Sequence, residues 1–238
     1  MFVESSDDIT PIPKPIRSFE ESKFPEDILA LVDSSRGAAF DNPTRIQSQG
    51  WLLILTGKNV IGVAQTGSGK TFAFMLRGVM HIRKNSRERS NCPTVMVQAP
   101  TRELARQIAD ETKRYGKDVK VGHSFGGEGK KSQEYVLKSA QVVVGTPGRT
   151  MDLLSKGTIN LRYCTYIVLD EADRMLDMGF QPQVEKIFRC VRPGGRQVLM
   201  FTANWPHAVH DLAAKLFKMD WLKVTIGALQ ASANHNVS

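Results

Sequence analysis

Ala64-Gln65-Thr66-Gly67-Ser68-Gly69-Lys70-Thr71 puts two glycines, a lysine and a threonine hydroxyl into one short loop behind the apolar run Val60–Val63. Glycines let a backbone fold tightly and aim its N–H groups at an anion, and a following helix N-terminus adds partial positive charge. In such a phosphate loop Lys70 reaches the β- and γ-phosphates of a nucleotide, and the Thr71 hydroxyl ligates Mg²⁺. The strict pattern opens on glycine; this chain has Ala64 there.

A second group complements the first. The run Ile167–Leu169 ends in Asp170-Glu171-Ala172-Asp173. An aspartate at a strand end opposite a phosphate loop is where the second Mg²⁺ partner belongs. Glu171 beside it can orient or deprotonate an attacking water, and Asp173, one turn on, is free to bond a neighbouring loop. By itself the tetrad also reads as an acidic helix start favoured by the dipole. The buried run before it and the phosphate loop favour a catalytic set of Lys70, Asp170 and Glu171, with a nucleotide and Mg²⁺ as ligands.

These residues need a scaffold that presents them together. Short β-branched runs occur at Val60–Val63, Thr94–Val97, Val119–Val121, Val142–Val144, Ile167–Leu169, Val198–Phe201 and Val224–Ile226. Helix-like stretches lie between them: 70–82, 102–115, 132–138, 149–154, 183–191 and 208–217. Two more precede the first run, one from Phe24 and one from Pro43 to Leu55. That alternation predicts an α/β fold, a mostly parallel sheet with helices on both faces. Ligands of such sheets bind beyond the carboxyl ends of the strands, where both groups above fall. Residues Met1–Arg17, with Pro11, Pro13 and Pro15, read as an extended, weakly ordered lead-in.

Composition narrows the partners. The chain has 238 residues, 41% hydrophobic and 24% charged, with 32 Lys and Arg against 24 Asp and Glu, a formal charge of +8. That excess suits a polyanion. No apolar run approaches the roughly 18 residues that cross a bilayer. Cys92, Cys164 and Cys190 are too far apart for a metal knuckle, and read as reduced thiols of a cytosolic or nuclear protein.

Together the two motifs resemble the DEAD-box family of RNA-dependent ATPases, whose name Asp170-Glu171-Ala172-Asp173 spells and whose continuation Arg174-Met175-Leu176-Asp177-Met178-Gly179-Phe180 is similar too. The resemblance runs from about Phe19 onward and implies a RecA-like P-loop fold. Phe40-Asp41-Asn42-Pro43-Thr44-Arg45-Ile46-Gln47 resembles the family's adenine-reading motif, with Phe19 as its upstream aromatic. The Gln47 amide can donate to adenine N7 and accept from N6, while an aromatic can stack on the base. The implied nucleotide residues are Phe19, Arg45, Gln47, Gln65, Thr66, Gly67, Ser68, Gly69, Lys70 and Thr71. The implied RNA residues are Pro100, Thr101 and Arg102, then Gly126 and Gly127, then Thr146, Pro147, Gly148 and Arg149. Helix N-termini, bare glycine N–H groups, hydroxyls and arginines all suit sugar-phosphate contacts, which carry little base specificity.

One segment departs from the pattern. Where the family has Ser-Ala-Thr, this chain has Thr202-Ala203-Asn204, implied to couple nucleotide to RNA through Asp173. The change puts that coupling in question and leaves open a nucleotide-gated RNA clamp that unwinds poorly. Trp205-Pro206 and the final stretch through Asn234-His235-Asn236 look most like the nuclear branch that works on pre-mRNA and ribosomal RNA. The family pairs two RecA-like domains, the second supplying arginine fingers that no motif here provides. The resemblance therefore implies a lead-in over 1–18, an ATP-binding domain over 19–228 and the start of a linker over 229–238. It also implies a monomer whose partners are single-stranded RNA or a short RNA duplex and a second RecA-like domain absent from this chain, leaving the chain by itself nearly inactive.

Overall fold

The computed structural model describes residues 1–6, 12–22, 24–36, 42–85, 92–126, 130–192, 194–217 and 221–227. Phe40, Asp41, Gly127 and the linker residues 229–238 lie outside these. Among the described residues the strands are β1 (Phe2–Ser5), β2 (Asn59–Val63), β3 (Val95–Gln98), β4 (Val121–Ser124), β5 (Val142–Gly145), β6 (Tyr166–Leu169), β7 (Gln197–Thr202) and β8 (Trp221–Thr225). They form one eight-stranded sheet ordered β1-β8-β2-β7-β6-β3-β5-β4. Every pairing is parallel except that of β1 with β8.

The helices are α1 (Glu26–Arg36), α2 (Arg45–Leu55), α3 (Lys70–Lys84), α4 (Arg102–Tyr115), α5 (Lys130–Leu137), α6 (Pro147–Ser155), α7 (Ala172–Asp177), α8 (Gln181–Cys190) and α9 (His207–Phe217). Alternation along each strand assigns its side chains to one face or the other. Tyr166 and Val168 join Phe74, Trp51 and Ile108 in the core under α1–α4. Ile167 and Leu169 join Val184, Leu212 and Phe217 in the core under α7–α9. Both faces are thus apolar, which is why the strands read as unbroken runs. No described helix is long and apolar enough to cross a membrane.

Several details differ from the expected pattern, among them β8, which runs Trp221–Thr225 rather than Val224–Ile226. Residues 2–5 of the lead-in are a sheet-edge strand, registered Phe2 opposite Thr225 through Ser5 opposite Leu222. β4 begins at Val121 rather than Val119 and takes in Gly122 and Ser124, because closeness to its neighbours outweighs strand propensity here. A Cβ on Gly122 would come within 2.8 Å of Leu137, and one on Gly145 within 1.8 Å of the Ser124 hydroxyl. α7 begins inside the acidic tetrad, at Ala172, and its six residues are too few for periodicity to show.

His81, near the end of α3, packs its ring 5.5 Å from Tyr166 and sets Nε2 2.7 Å from the Thr165 hydroxyl. Burial, with Arg77 and Lys84 on the same helix, lowers its pKa to about 4. The folded state therefore holds the ring neutral, so its contribution is present above about 6.5 and is lost as pH falls towards 4. His81→Gln is expected to remove on the order of 2 kcal/mol of this acid sensitivity, read from urea unfolding of both proteins at neutral and acid pH.

Candidate functional site

β2, β7 and β6 are neighbours in the middle of the sheet, so the loops that leave their carboxyl ends meet. The loop after β2 delivers Gly67, Gly69, Lys70 and Thr71 to a cleft of about 340 Å³. Asp170 and Glu171, after β6, lie across it. Gly67 and Gly69 sit at φ of 75° and 88°, left-handed values that side chains disfavour. Lys70 is buried and its Nζ donates to the Ala64 carbonyl at 2.8 Å, so the lysine is already folded over its own loop.

Asp170 is 3% exposed, and its backbone N–H donates to Gln98 O at 2.9 Å. Burial pushes its carboxyl up to about 6, opposed by the positive charge of Lys70 and helped by Glu171. A buried carboxylate short of positive charge fits a divalent cation, and Thr71 brings a hydroxyl to the same cleft. Asp170 and Thr71 would hold Mg²⁺, which when bound supplies neutralising charge for the phosphates. Glu171 has φ 54°, the one non-glycine residue with positive φ among the described residues. Its side chain is largely buried with Arg174 3.6 Å away. Strain of this kind concentrates where a side chain must be aimed.

Gln47, the expected adenine reader, also lines the cleft. Its Oε1 accepts from Thr44 N at 3.0 Å and its Nε2 donates to Gly69 O at 3.1 Å. An amide has two N–H groups and two lone pairs on oxygen, so one of each remains for a base. The bond also clamps the phosphate loop. A Cβ on Gly69 would lie 2.5 Å from Gln47 Nε2. Gly69→Ala is therefore expected to weaken ADP binding at least about tenfold by forcing loop and glutamine apart. Titration of a fluorescent ADP analogue checks this; unchanged affinity would mean the loop relaxes freely.

Phe19 lines the cleft but is only 2% exposed, and its ring packs 5.7 Å from Trp51. It belongs to the core as much as to the site. Arg45, Gln65 and Ser68 are not among the lining residues. Arg45 is exposed in the first turn of α2, and the Ser68 hydroxyl donates to Gln65 O at 2.7 Å, closing the loop's outer turn. The opposite wall was not anticipated. Gln107, Glu111 and Tyr115 line it at four-residue spacing along α4, with the Tyr115 ring 4.8 Å from that of Phe72 and tilted against it. The helical period made that face readable, but nothing in the sequence said which face meets the loop.

The loop after β7 ties the phosphate loop to the acidic residues. Ala64 N donates to Thr202 O at 2.9 Å, and the Thr202 hydroxyl donates to Asn204 O at 2.7 Å. Asn204 N and Nδ2 both donate to Asp173 Oδ2, at 3.0 and 3.1 Å. The Asn204 exchange thus keeps a contact with Asp173, made through an amide. Ala203 spans the link between them.

Beyond the carboxyl ends of β3, β4 and β5, Pro100, Thr101, Arg102, Gly126, Thr146, Gly148 and Arg149 line a more open groove of about 650 Å³ together with Glu103, Asp152, Met178 and Phe180. Thr101 caps α4 by accepting from Leu104 N. Pro147 is buried in the first turn of α6, where it shapes the turn instead of facing the groove.

A family model described as DEAD/DEAH box helicase matches residues 44–212. A probable ATP-dependent RNA helicase ddx17 of Dictyostelium discoideum is 47% identical over 230 residues, 95% of this chain and 29% of that protein. The ATP-dependent RNA helicase DBP2 of Pyricularia oryzae is 44% identical over 242 residues, 100% of this chain and 42% of that protein. Among solved structures, the RNA helicase Prp28 of Chaetomium thermophilum bound to ADP superposes with a TM-score of 0.83 at 33% identity, covering 95% of this chain and 54% of that one. A DEAD box protein from Methanococcus jannaschii gives 0.79 at 34%, covering 90% and 57%. The fold is RecA-like, and the chain spans less than half the length of these two curated relatives.

Proposed function

Because the chain belongs to the DEAD/DEAH box helicase family, we propose that it is the ATP-binding domain of an ATP-dependent RNA helicase. In this reading a second RecA-like domain closes on it around ATP, Mg²⁺ and RNA. The carrying observation is that both motifs leave the carboxyl ends of neighbouring central strands. Buried Asp170 and strained Glu171 face the phosphate loop across one cleft, and two arginines line a groove beside it.

The division of labour follows from position. Lys70 leaves the Ala64 carbonyl to meet the phosphates, while the loop's N–H groups cradle them. Gln47 reads adenine with its spare N–H and lone pair. Glu171 orients water and takes its proton during attack on the γ-phosphate. Thr202 and Asn204 carry the state of the phosphate loop to Asp173. The groove holds RNA by phosphate and sugar, so sequence preference is low. A cleft closed by one domain alone leaves the transferred γ-phosphoryl without arginine fingers, which supply about 10³–10⁵ in rate. The chain by itself is therefore expected to bind nucleotide and turn it over feebly, as a monomer.

The direct test measures ADP and GDP binding, then ATP turnover with RNA and with DNA oligomers. ADP is expected to bind at least about tenfold tighter than GDP, through Gln47. Equal affinities, or stimulation by DNA but not RNA, would overturn the assignment.

A further inference from the structure

The two arginines of the groove come from the first turns of different helices, α4 and α6, and a single buried side chain braces both. Gln133 on α5 is 1% exposed. Its Nε2 donates to Phe125 O at 2.9 Å, and its Oε1 accepts from Arg149 Nε at 2.9 Å. Phe125 precedes Gly126, whose bare Cα makes room for Arg102: a Cβ there would lie 2.8 Å from the guanidinium. Phe125 is also held by the stacked ring of His123 and by Arg106 above it. One amide therefore fixes the loop that floors Arg102 and, at its other end, Arg149.

Arg149 gives another N–H to Asp152. A guanidinium has five N–H groups in a rigid plane. The Nε bond to Gln133 and the bond to Asp152 orient that plane and leave donors for the groove that Arg149 lines. A flexible arginine would have to be ordered when ligand arrives; one already braced does not.

We propose that Gln133 is the positioning residue of the RNA groove, holding Arg102 and Arg149 in place for a sugar-phosphate backbone. The inference rests on the groove being the RNA site. Gln133 is not offered as an RNA contact, since its amide is engaged on both sides and buried.

The test uses fluorescein-labelled oligouridylate with saturating ATP analogue and Mg²⁺. Gln133→Met keeps the length and removes both bonds. It is expected to weaken RNA binding about tenfold while ADP affinity stays within about twofold. The slope of log Kd against log salt should fall by about 0.7, the signature of one lost phosphate contact. Added to Arg149→Ala, which alone should cost as much, Gln133→Met should change little. A merely structural glutamine would lower the melting temperature without touching the salt slope or this non-additivity, and that result overturns the proposal.

If Gln133→Met does not fold, Arg149→Lys carries the measurement. It keeps the charge and loses the Nε bond to Gln133. RNA binding near wild type would overturn the brace; a loss of about tenfold would support it. Failure of the unsubstituted protein to bind oligouridylate at all would instead remove the RNA reading beneath it.

Discussion

Asp170→Asn is expected to give a protein more stable than the original and unable to use Mg²⁺. The carboxyl is buried after β6 and its pKa is raised to about 6, chiefly because burial penalises the charge. A raised acid contributes stability below its unfolded value, near 4, and that contribution is lost as pH rises through 6. At pH 7.5 the empty site thus holds a charge that folding disfavours. Removing it should add on the order of 2–3 kcal/mol, and the gap should close near pH 4. Denaturant unfolding without nucleotide or metal, at both pH values, reads this directly. Added Mg²⁺ should strengthen ADP binding in the original and not in the variant, and ATP turnover of the two-domain protein should fall at least about a hundredfold. Equal stability at both pH values would mean that Asp170 is not desolvated. The cost sits where the metal would relieve it, as expected of a site built for a ligand.

Glu171→Gln should leave ADP affinity within about twofold and lower RNA-stimulated turnover of the two-domain protein by about 10²–10⁴. The amide keeps size and hydrogen bonding but takes no proton from water. The backbone permits a companion measurement. Glu171 holds φ 54°, costing a side-chain-bearing residue roughly 1–2 kcal/mol. Glu171→Gly should recover about 1 kcal/mol of stability while losing turnover as Glu171→Gln does. Retained turnover in either would remove Glu171 from the chemistry, and no stability gain would show the strain to be illusory.

The phosphate loop and the acidic tetrad were legible because both depend on local order. Glycines at fixed spacing and an acid at a strand end need only their immediate neighbours, and they fall where the sheet puts them. The parallel sheet was legible for a related reason: runs such as Val142–Val144 are apolar on both sides only when helices cover both. Less local features were hidden. The Phe2–Ser5 strand exists because β8 offers an edge far away in the chain, with Phe2 opposite Thr225 and Ser5 opposite Leu222, and no pattern in four residues states that. The boundary of β4 was displaced because Gly122 packs against Leu137 and Ala140 and Ser124 lies against Gly145, and propensity does not see such neighbours.

The sequence by itself determined which residues carry the chemistry: Lys70, Thr71, Asp170 and Glu171 are identified by type and spacing, since phosphate, metal and water each demand particular groups. Only the tertiary structure decided what those groups pay attention to before a ligand arrives. Gln47 clamps Gly69, Lys70 rests on Ala64, Asn204 binds Asp173 twice, and Gln133 joins Phe125 to Arg149. Each of these contacts joins elements whose closeness is set by how the sheet is wound and how helices pack on it. Such distances are properties of the packed chain, and no window of residues contains them.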